Sequence, residues 1–339
     1  MRFLLDDEHR DFARSLDKML TAAGPAKVAR AWAAGDTAPG RAVWAKLAEA
    51  GVLALAVPEK HGGLGPLPVE LAVAFEQLGR HAVPGPLVET VAAAALLDHL
   101  GDATLAADLL PGIAAGTTIA SLRAPDSPYA LDADAADTVL VTEGDTEGDT
   151  GGDTEGATLL LAAGAGPVQP SSDPARRLAR PLGGTVLAQG PEVTAAAGHA
   201  AEVAAFAVAA QALGVGRTLL LETVEYVGGR TQFGVAIGTF QAVKHRLADT
   251  LIALEFAQPL VHAAALALAS GDPDAGRAVA AAKVAACEAT YTAARTALQL
   301  HGAVGYTDEL DLSLWIRKAR ALRTAWGTPS ACRTRVLAP

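Results

Sequence analysis

The segment Arg230-Thr231-Gln232-Phe233-Gly234, continued by Ile237-Gly238-Thr239-Phe240-Gln241-Ala242-Val243-Lys244-His245, puts a fixed cation, an aromatic ring and a glycine turn just ahead of a helix with a polar first turn. These groups suit a bound pyrophosphate with a flat ring beside it. A guanidinium presents a rigid donor fork that matches phosphate oxygens, and the first amides of a helix add N–H donors that have no acceptor inside the helix. Thr239 stands where it could cap that helix.

The elements that must hold these groups read as helices at both ends of the chain with a small sheet between them. From Asp6 to about Leu110, Phe12, Leu16, Met19 and Leu20 recur at helical spacing, as do Val43, Leu47 and Ala50. Val57 to Pro66 is crowded with proline and glycine and must be a loop. Val69 to Arg80 forms another helix, stopped before Pro84-Gly85-Pro86. From about Thr117 the character changes: residues 117–120, 138–141, 158–161 and 185–187 are short strand-like runs between turn formers. From Ala196 alanine- and leucine-rich helical patterns return, broken at Asp272-Pro273-Asp274. Gly214 and Gly216 inside the first of them point to a close approach of two helices. The order predicts an α+β, mostly α chain in three parts: residues 1–116 helical, 117–193 a shortened β domain, and 194–339 a helical bundle.

Inside the β part, Glu143-Gly144-Asp145-Thr146 is followed by Glu147-Gly148-Asp149-Thr150 and Gly151-Gly152-Asp153-Thr154. Its carboxylates are of the kind that bind calcium. The spacing matches neither an EF-hand loop nor the nonapeptide calcium repeat, so a solvated, disordered hairpin loop is expected.

At 339 residues there is room for two or three domains, and 51% hydrophobic residues suffice for a core. Much of that fraction is alanine, which favours closely packed helices. A net charge of −10 argues against nucleic acid or an anionic membrane as the main partner. Cys287 and Cys332 lie far apart and form no metal or redox motif, which suggests reduced thiols. The N-terminus turns acidic at Asp6-Asp7-Glu8, too early for an export signal. The uncharged apolar run Val203 to Gly216 falls short of the roughly 18 residues that cross a bilayer. A soluble cytoplasmic protein without a metal is expected.

Four pieces, in this order, resemble the acyl-CoA dehydrogenase family. Trp44 to Gly51, leading to Pro58-Glu59 and Gly62-Gly63-Leu64-Gly65, is similar to its N-terminal helical domain, and Glu76-Gln77-Leu78-Gly79-Arg80 extends the likeness. The Arg230 block resembles the family's flavin arm, and Gln299-Leu300-His301-Gly302-Ala303-Val304-Gly305-Tyr306-Thr307 is the fourth piece. The resemblance implies a helical domain, a β middle domain and a C-terminal four-helix bundle. It implies an enzyme that removes an α-proton from an acyl-CoA thioester while FAD accepts the β-hydride. A tetramer, built as a dimer of dimers, and an electron-transferring flavoprotein as acceptor follow from it too. In the family each FAD crosses a subunit interface, with its ring on one chain and its adenosine and pyrophosphate on the C-terminal domain of a neighbour. Carried over residue by residue, Arg230 would pair with the pyrophosphate, with Gln232 and Phe233 beside the nucleotide. Gln241, Gln299 and the Gly302-Ala303 turn would meet the adenine end, and Thr328 completes the cofactor set. Ala303 replaces a glycine common in that turn. His245 and His301 read as packed or solvent-facing residues rather than catalysts.

The same resemblance exposes gaps. Counting from Arg317, the family's catalytic glutamate before Gly-Thr falls on Trp326, and an indole cannot take an α-proton. The alternative position of the base, on an earlier helix, falls on Ala204 and Ala205. Residues 120–137 lack the Thr-Glu-Pro-Gly-like run that cradles the flavin ring, and no Trp-Ile-Thr-like strand follows. Three readings stay open. The chain could be a subunit that completes an FAD site beside a paralogous catalytic chain. It could be a self-sufficient enzyme whose base is Glu202, Asp308, Glu309 or Asp311. Or it could be a derivative turned to flavin monooxygenation or to binding alone.

Overall fold

The computed structural model describes residues 5–123, 127–144 and 156–338. The chain begins with helices α1 (Asp7–Ala22), α2 (Pro25–Ala33), α3 (Ala38–Glu49), α4 (Pro68–Arg80), α5 (Leu87–Leu100) and α6 (Ala103–Ala114). Strands follow: β1 (Ala120–Arg123), β2 (Ala130–Leu131), β3 (Thr138–Glu143), β4 (Ala157–Leu161), β5 (Gly164–Ala165), β6 (Leu178–Ala179), β7 (Pro181–Leu182) and β8 (Thr185–Gly190). The remainder is α7 (Pro191–Gly229), the short strands β9 (Thr231–Gln232) and β10 (Val235–Ala236), then α8 (Gln241–Ser270), α9 (Ala275–His301), α10 (Ser313–Thr324) and α11 (Pro329–Leu337). The fold is α+β and mostly helical, as the sequence patterns predict.

Local chemistry sets several of these boundaries. Asp6 caps α1 by accepting the His9 N–H at 2.9 Å, and Asp102 caps α6 by accepting from Thr104 N and Leu105 N. Leu16 and Leu20, four residues apart, both face inward. The first strand begins three residues later than expected. Thr117 and Thr118 instead close the end of α6, the Thr117 hydroxyl and the Thr118 N–H both donating to Gly112 O. The main sheet has the order β1-β3-β4-β8, with β1 parallel to β3 and the other pairs antiparallel. The acidic repeat lies between the paired strands β3 and β4, and from Asp145 to Thr154 it falls outside the described residues.

The chain divides into two compact units, one of Met1–Lys27, Ala72–Val83 and Ala205–Pro339, the other of Val28–Leu71 and Pro84–Ala204. In the first, α4 and α7 touch backbone to backbone. A Cβ on Gly79 would lie 1.9 Å from Gln211 O, and one on Gly214 would lie 1.9 Å from Glu76 O. On the other side of α7, a Cβ on Gly216 would meet Leu254 Cδ2 at 2.6 Å and Thr290 Oγ1 at 2.8 Å. Both helical glycines therefore mark close approaches, as expected. Arg217 ties the same region together with ion pairs to Glu76 at 3.1 Å and Glu255 at 2.9 Å.

By length and composition α7 and α8 could each cross a bilayer, although no uncharged run reaches that length. The apolar stretch of α7 is mostly buried within the fold. That of α8 is mostly bare, with Ile252, Phe256 and Leu260 exposed at four-residue intervals.

The second unit centres on a buried carboxylate. Asp132 is fully buried and accepts the Trp32 indole N–H at 2.9 Å and the Arg177 backbone N–H at 3.3 Å through Oδ1. Its Oδ2 has no hydrogen-bond partner among the described residues, and its backbone sits at φ +52°. Burial pushes this carboxyl up to about 7; the charge of buried Glu89 adds to the rise, while the Trp32 bond and Arg176 oppose it. Arg177 pairs with Asp134 close by.

Candidate functional site

At the end of α7 the chain turns back on itself. Arg230 N donates to Tyr226 O at 2.9 Å, and Ile237 N donates to Arg230 O at 2.8 Å. Between them β9 and β10 pair through Gln232↔Val235 and Thr231↔Ala236. Phe233 at φ +54° and Gly234 at φ +79° make the turn. Two successive positive φ values belong to the type I′ turns that suit hairpins. Glycine adopts that backbone at no steric cost; phenylalanine is strained there. The Phe233 ring is also 92% exposed, with only an edge contact to Phe240 at 6.3 Å between centroids. A strained, bare aromatic is a reason to look for a ligand. Arg230 is exposed as well, and among the described residues its guanidinium has no ion pair or hydrogen bond.

Directly after the hairpin, Gln241 opens α8. Thr239 does not cap that helix. The residues before it form a 3-10 turn, Ile237–Thr239, that makes Phe240 the N-cap, and the Thr239 hydroxyl donates to Ala236 O at 2.6 Å. Val243 N and Lys244 N both donate to Phe240 O at 3.1 Å, which leaves the Gln241 and Ala242 amides for something outside the helix.

The other predicted piece arrives at the same place. A polar cleft of about 440 Å³ between α8 and α9 is lined by Ala242, His245, Arg246, Asp249 and Thr250 from one helix and Thr292, Arg295, Thr296 and Gln299 from the other. Gln299 is thus joined to the residue following Gln241. The stack of Tyr226 on His301 links the hairpin root to the Gly302-Ala303 turn, where both residues are exposed. Arg230, Gln232, Phe233, Gln241, Gln299, Gly302 and Ala303 therefore belong to one compact unit, and the cleft and this stack connect their segments.

Thr328 belongs to a different stretch of that unit, the turn from α10 to α11. Its hydroxyl caps α11 by accepting from Ala331 N at 3.2 Å. Trp326, at the position counted for a base, is buried at φ +54° and is followed by Gly327 at φ +117°. Lys283, itself 1% exposed, pins this turn from α9. Its Nζ donates to Leu322 O at 3.1 Å, Gly327 O at 3.3 Å and Arg323 O at 3.4 Å, with Cys287 Sγ at 3.4 Å. A cation at the carbonyl end of α10 is well placed against the helix dipole. Both cysteines are free and buried, and burial pushes the Cys287 thiol up.

Asp308 is exposed and paired with Arg317, and Glu309 and Asp311 are exposed. Ala204 and Ala205 are buried, with half-buried Glu202 two residues before the first. His301 is packed, as expected, and His245 is exposed in the cleft wall. Among the described residues no three metal-ligating side chains gather.

Residues 6–117 match the model of the acyl-CoA dehydrogenase N-terminal domain, and residues 194–338 match that of the C-terminal domain. The chain belongs to the acyl-CoA dehydrogenase family. It is 36% identical to acyl-CoA dehydrogenase IpdE2 of Mycobacterium tuberculosis, over 92% of this chain and 91% of that one. Among solved structures, the Tcur3481-Tcur3483 steroid ACAD superposes with a TM-score of 0.81 at 28% identity, covering 97% of this chain and 96% of the other. Butyryl-CoA dehydrogenase from Megasphaera elsdenii shares the fold at a TM-score of 0.82 and 21% identity, covering 99% of this chain and 98% of its own. The cofactor of this acyl-CoA dehydrogenase fold is FAD.

Sequence reading missed part of the dehydrogenase's cleft. Ala242, His245, Arg246 and Asp249 fall at i, i+3, i+4 and i+7, and Thr292, Thr296 and Gln299 at i, i+4 and i+7. These are polar stripes on two helix faces. The signal was present, but only the packing of α8 on α9 shows that the stripes face one another.

Proposed function

We propose that this chain is a subunit of a heteromeric acyl-CoA dehydrogenase, which completes an FAD site while a paralogous chain supplies the base and the flavin-ring cradle. One observation carries the reading. The nucleotide-holding arm is intact and exposed, whereas a buried tryptophan, Trp326, stands where the base is expected. The residues suit the nucleotide half of FAD. Arg230 would hold the diphosphate, with Gln232 at its side, and Phe233 would cover the nucleotide. Gln241, with the first amides of α8, and Gln299 with the Gly302-Ala303 turn would receive the adenosine in the α8–α9 cleft. Thr328 would meet cofactor only through its backbone or the free face of its hydroxyl, because it already caps α11.

When bound, FAD supplies the hydride acceptor for α,β-dehydrogenation of the thioester. In this reading this chain's residues bind and orient, and the base of the paralogous chain takes the α-proton. The three-part division at 116/117 and 193/194 belongs to the same proposal, as do a dimer-of-dimers tetramer, a cytoplasmic location and an electron-transferring flavoprotein as acceptor. Bare apolar residues favour assembly: Leu221 and Val224 on α7, and Ile252, Phe256 and Leu260 on α8, are large side chains that a neighbouring subunit would cover. The relatedness to a steroid ACAD favours a bulky, steroid-derived acyl group.

The test is oxidation of a panel of acyl-CoA thioesters by the chain alone and by the chain co-expressed with a paralogous dehydrogenase that retains its glutamate. Activity is expected from the pair only, and it should vanish when the partner's glutamate becomes glutamine. Turnover by the chain alone, lost in Glu202→Gln, would instead assign it a relocated base.

A further inference from the structure

Tyr226 sits one helical turn before Arg230 and accepts that residue's backbone N–H at 2.9 Å. Its ring stacks on His301 with centroids 4.1 Å apart and an interplanar angle of 21°. Its hydroxyl is 3.5 Å from His301 O, at the limit of a hydrogen bond. His301 closes α9 immediately before Gly302, and it is 6% exposed. Its Nδ1 lies 2.8 Å from Ala297 O. A carbonyl only accepts, so that nitrogen carries a proton, and the bond fixes the ring's plane.

We infer that the Tyr226–His301 stack is a positioning device for FAD, holding the Arg230 hairpin at a fixed reach from the Gly302-Ala303 turn. The inference rests on the reading of both segments as the nucleotide site. Its physical reason is the weakness of the hairpin itself. β9 and β10 share only two residue pairs, and a ladder that short has little stability of its own. Its turn is strained at Phe233, and its side chains are bare. An arm free to sway would have to be ordered by the nucleotide, at a loss in affinity. The stack anchors the root of the arm to the end of α9, and α9 also carries Gln299. A second contact supports the same geometry: Gly238 packs on Val227, where a Cβ would come within 3.1 Å of Val227 O. The 3-10 turn that follows the hairpin is therefore seated on the last turn of α7, next to Tyr226.

The experiment uses the assembled enzyme, stripped of flavin and titrated with FAD by fluorescence, alongside thermal unfolding without flavin. Tyr226→Phe keeps the ring and should bind FAD within about twofold of the parent. Tyr226→Leu removes the aromatic stack and should weaken binding about 3- to 10-fold with the flavin-free midpoint unchanged. Arg230→Ala is run in parallel. Parent-like affinity in Tyr226→Leu, with weakened Arg230→Ala, overturns the positioning role alone. Parent-like affinity in both overturns the nucleotide reading beneath it. A Tyr226→Leu chain that fails to fold, or melts lower in proportion to its lost affinity, makes the stack a stability contact and also overturns the inference.

Discussion

Replacing Arg230 with alanine is expected to weaken FAD binding roughly 10- to 100-fold while leaving the flavin-free protein as stable as the parent. The size follows from the loss of charge-assisted hydrogen bonds to a diphosphate, about 1.5–3 kcal/mol. The lack of a stability effect follows from the structure, since the guanidinium of Arg230 has no ion pair or hydrogen bond among the described residues. Arg230→Lys should recover part of the affinity, because lysine restores the charge without the planar fork. The arm is exposed, so the defect should shrink as ionic strength rises and screening replaces the contact. Fluorescence titration of flavin-stripped enzyme at low and high salt measures all three. Parent-like affinity in Arg230→Ala would remove this arginine from the site.

The second large effect concerns the buried carboxylate, not the cofactor. Asp132 is held by the fold with its carboxyl pushed up to about 7, against 3.8 for an ordinary aspartate. A carboxylate raised by folding binds its proton more tightly in the native state. Its contribution to stability is therefore complete below about pH 4 and is lost as pH rises through 7, by about 4 kcal/mol at most. Asp132→Asn removes the titration but keeps an oxygen for the Trp32 N–H, and asparagine tolerates the positive φ of this position. Denaturant unfolding of parent and Asp132→Asn should thus diverge with pH. The variant should gain steadily on the parent between pH 4 and 8, with a difference in slope of up to about 1.4 kcal/mol per pH unit. Parallel curves would mean that Asp132 is ionised in the folded protein across the range. Asp132→Ala should destabilise at every pH, because it strands the buried Trp32 N–H.

Much of the site was legible because its parts are local. The Arg230 segment reads as cation, ring, turn and helix start within about a dozen residues, and the structure has a hairpin and α8 there. Gly214 and Gly216 betrayed the close helix crossings because only glycine lets backbones approach so nearly. The repeat at 143–154 was equally visible, but its fate lies mostly outside the described residues. What escaped is non-local or depends on competition between neighbouring hydrogen bonds. Trp32 and Asp132 are 100 residues apart, and no periodicity links an indole to a carboxylate at that distance. Tyr226 and His301 stack across 75 residues, and the cleft needs two helices in register. The expected strand at 117–120 and the expected cap by Thr239 failed for the same reason. In each case a threonine hydroxyl found a nearer carbonyl, Gly112 O for Thr117 and Ala236 O for Thr239, and the element began later.

The central claim is that this chain contributes the reaching arm of an FAD site and not the whole of it. FAD per polypeptide, measured by absorbance after denaturing the chain expressed alone and the chain co-expressed with a glutamate-bearing paralogue, tests that claim most directly. Essentially no FAD on the chain alone, and about one FAD for each pair of chains, is the predicted result. One FAD for every chain expressed alone would contradict it, since the chain would then build both halves of the site itself.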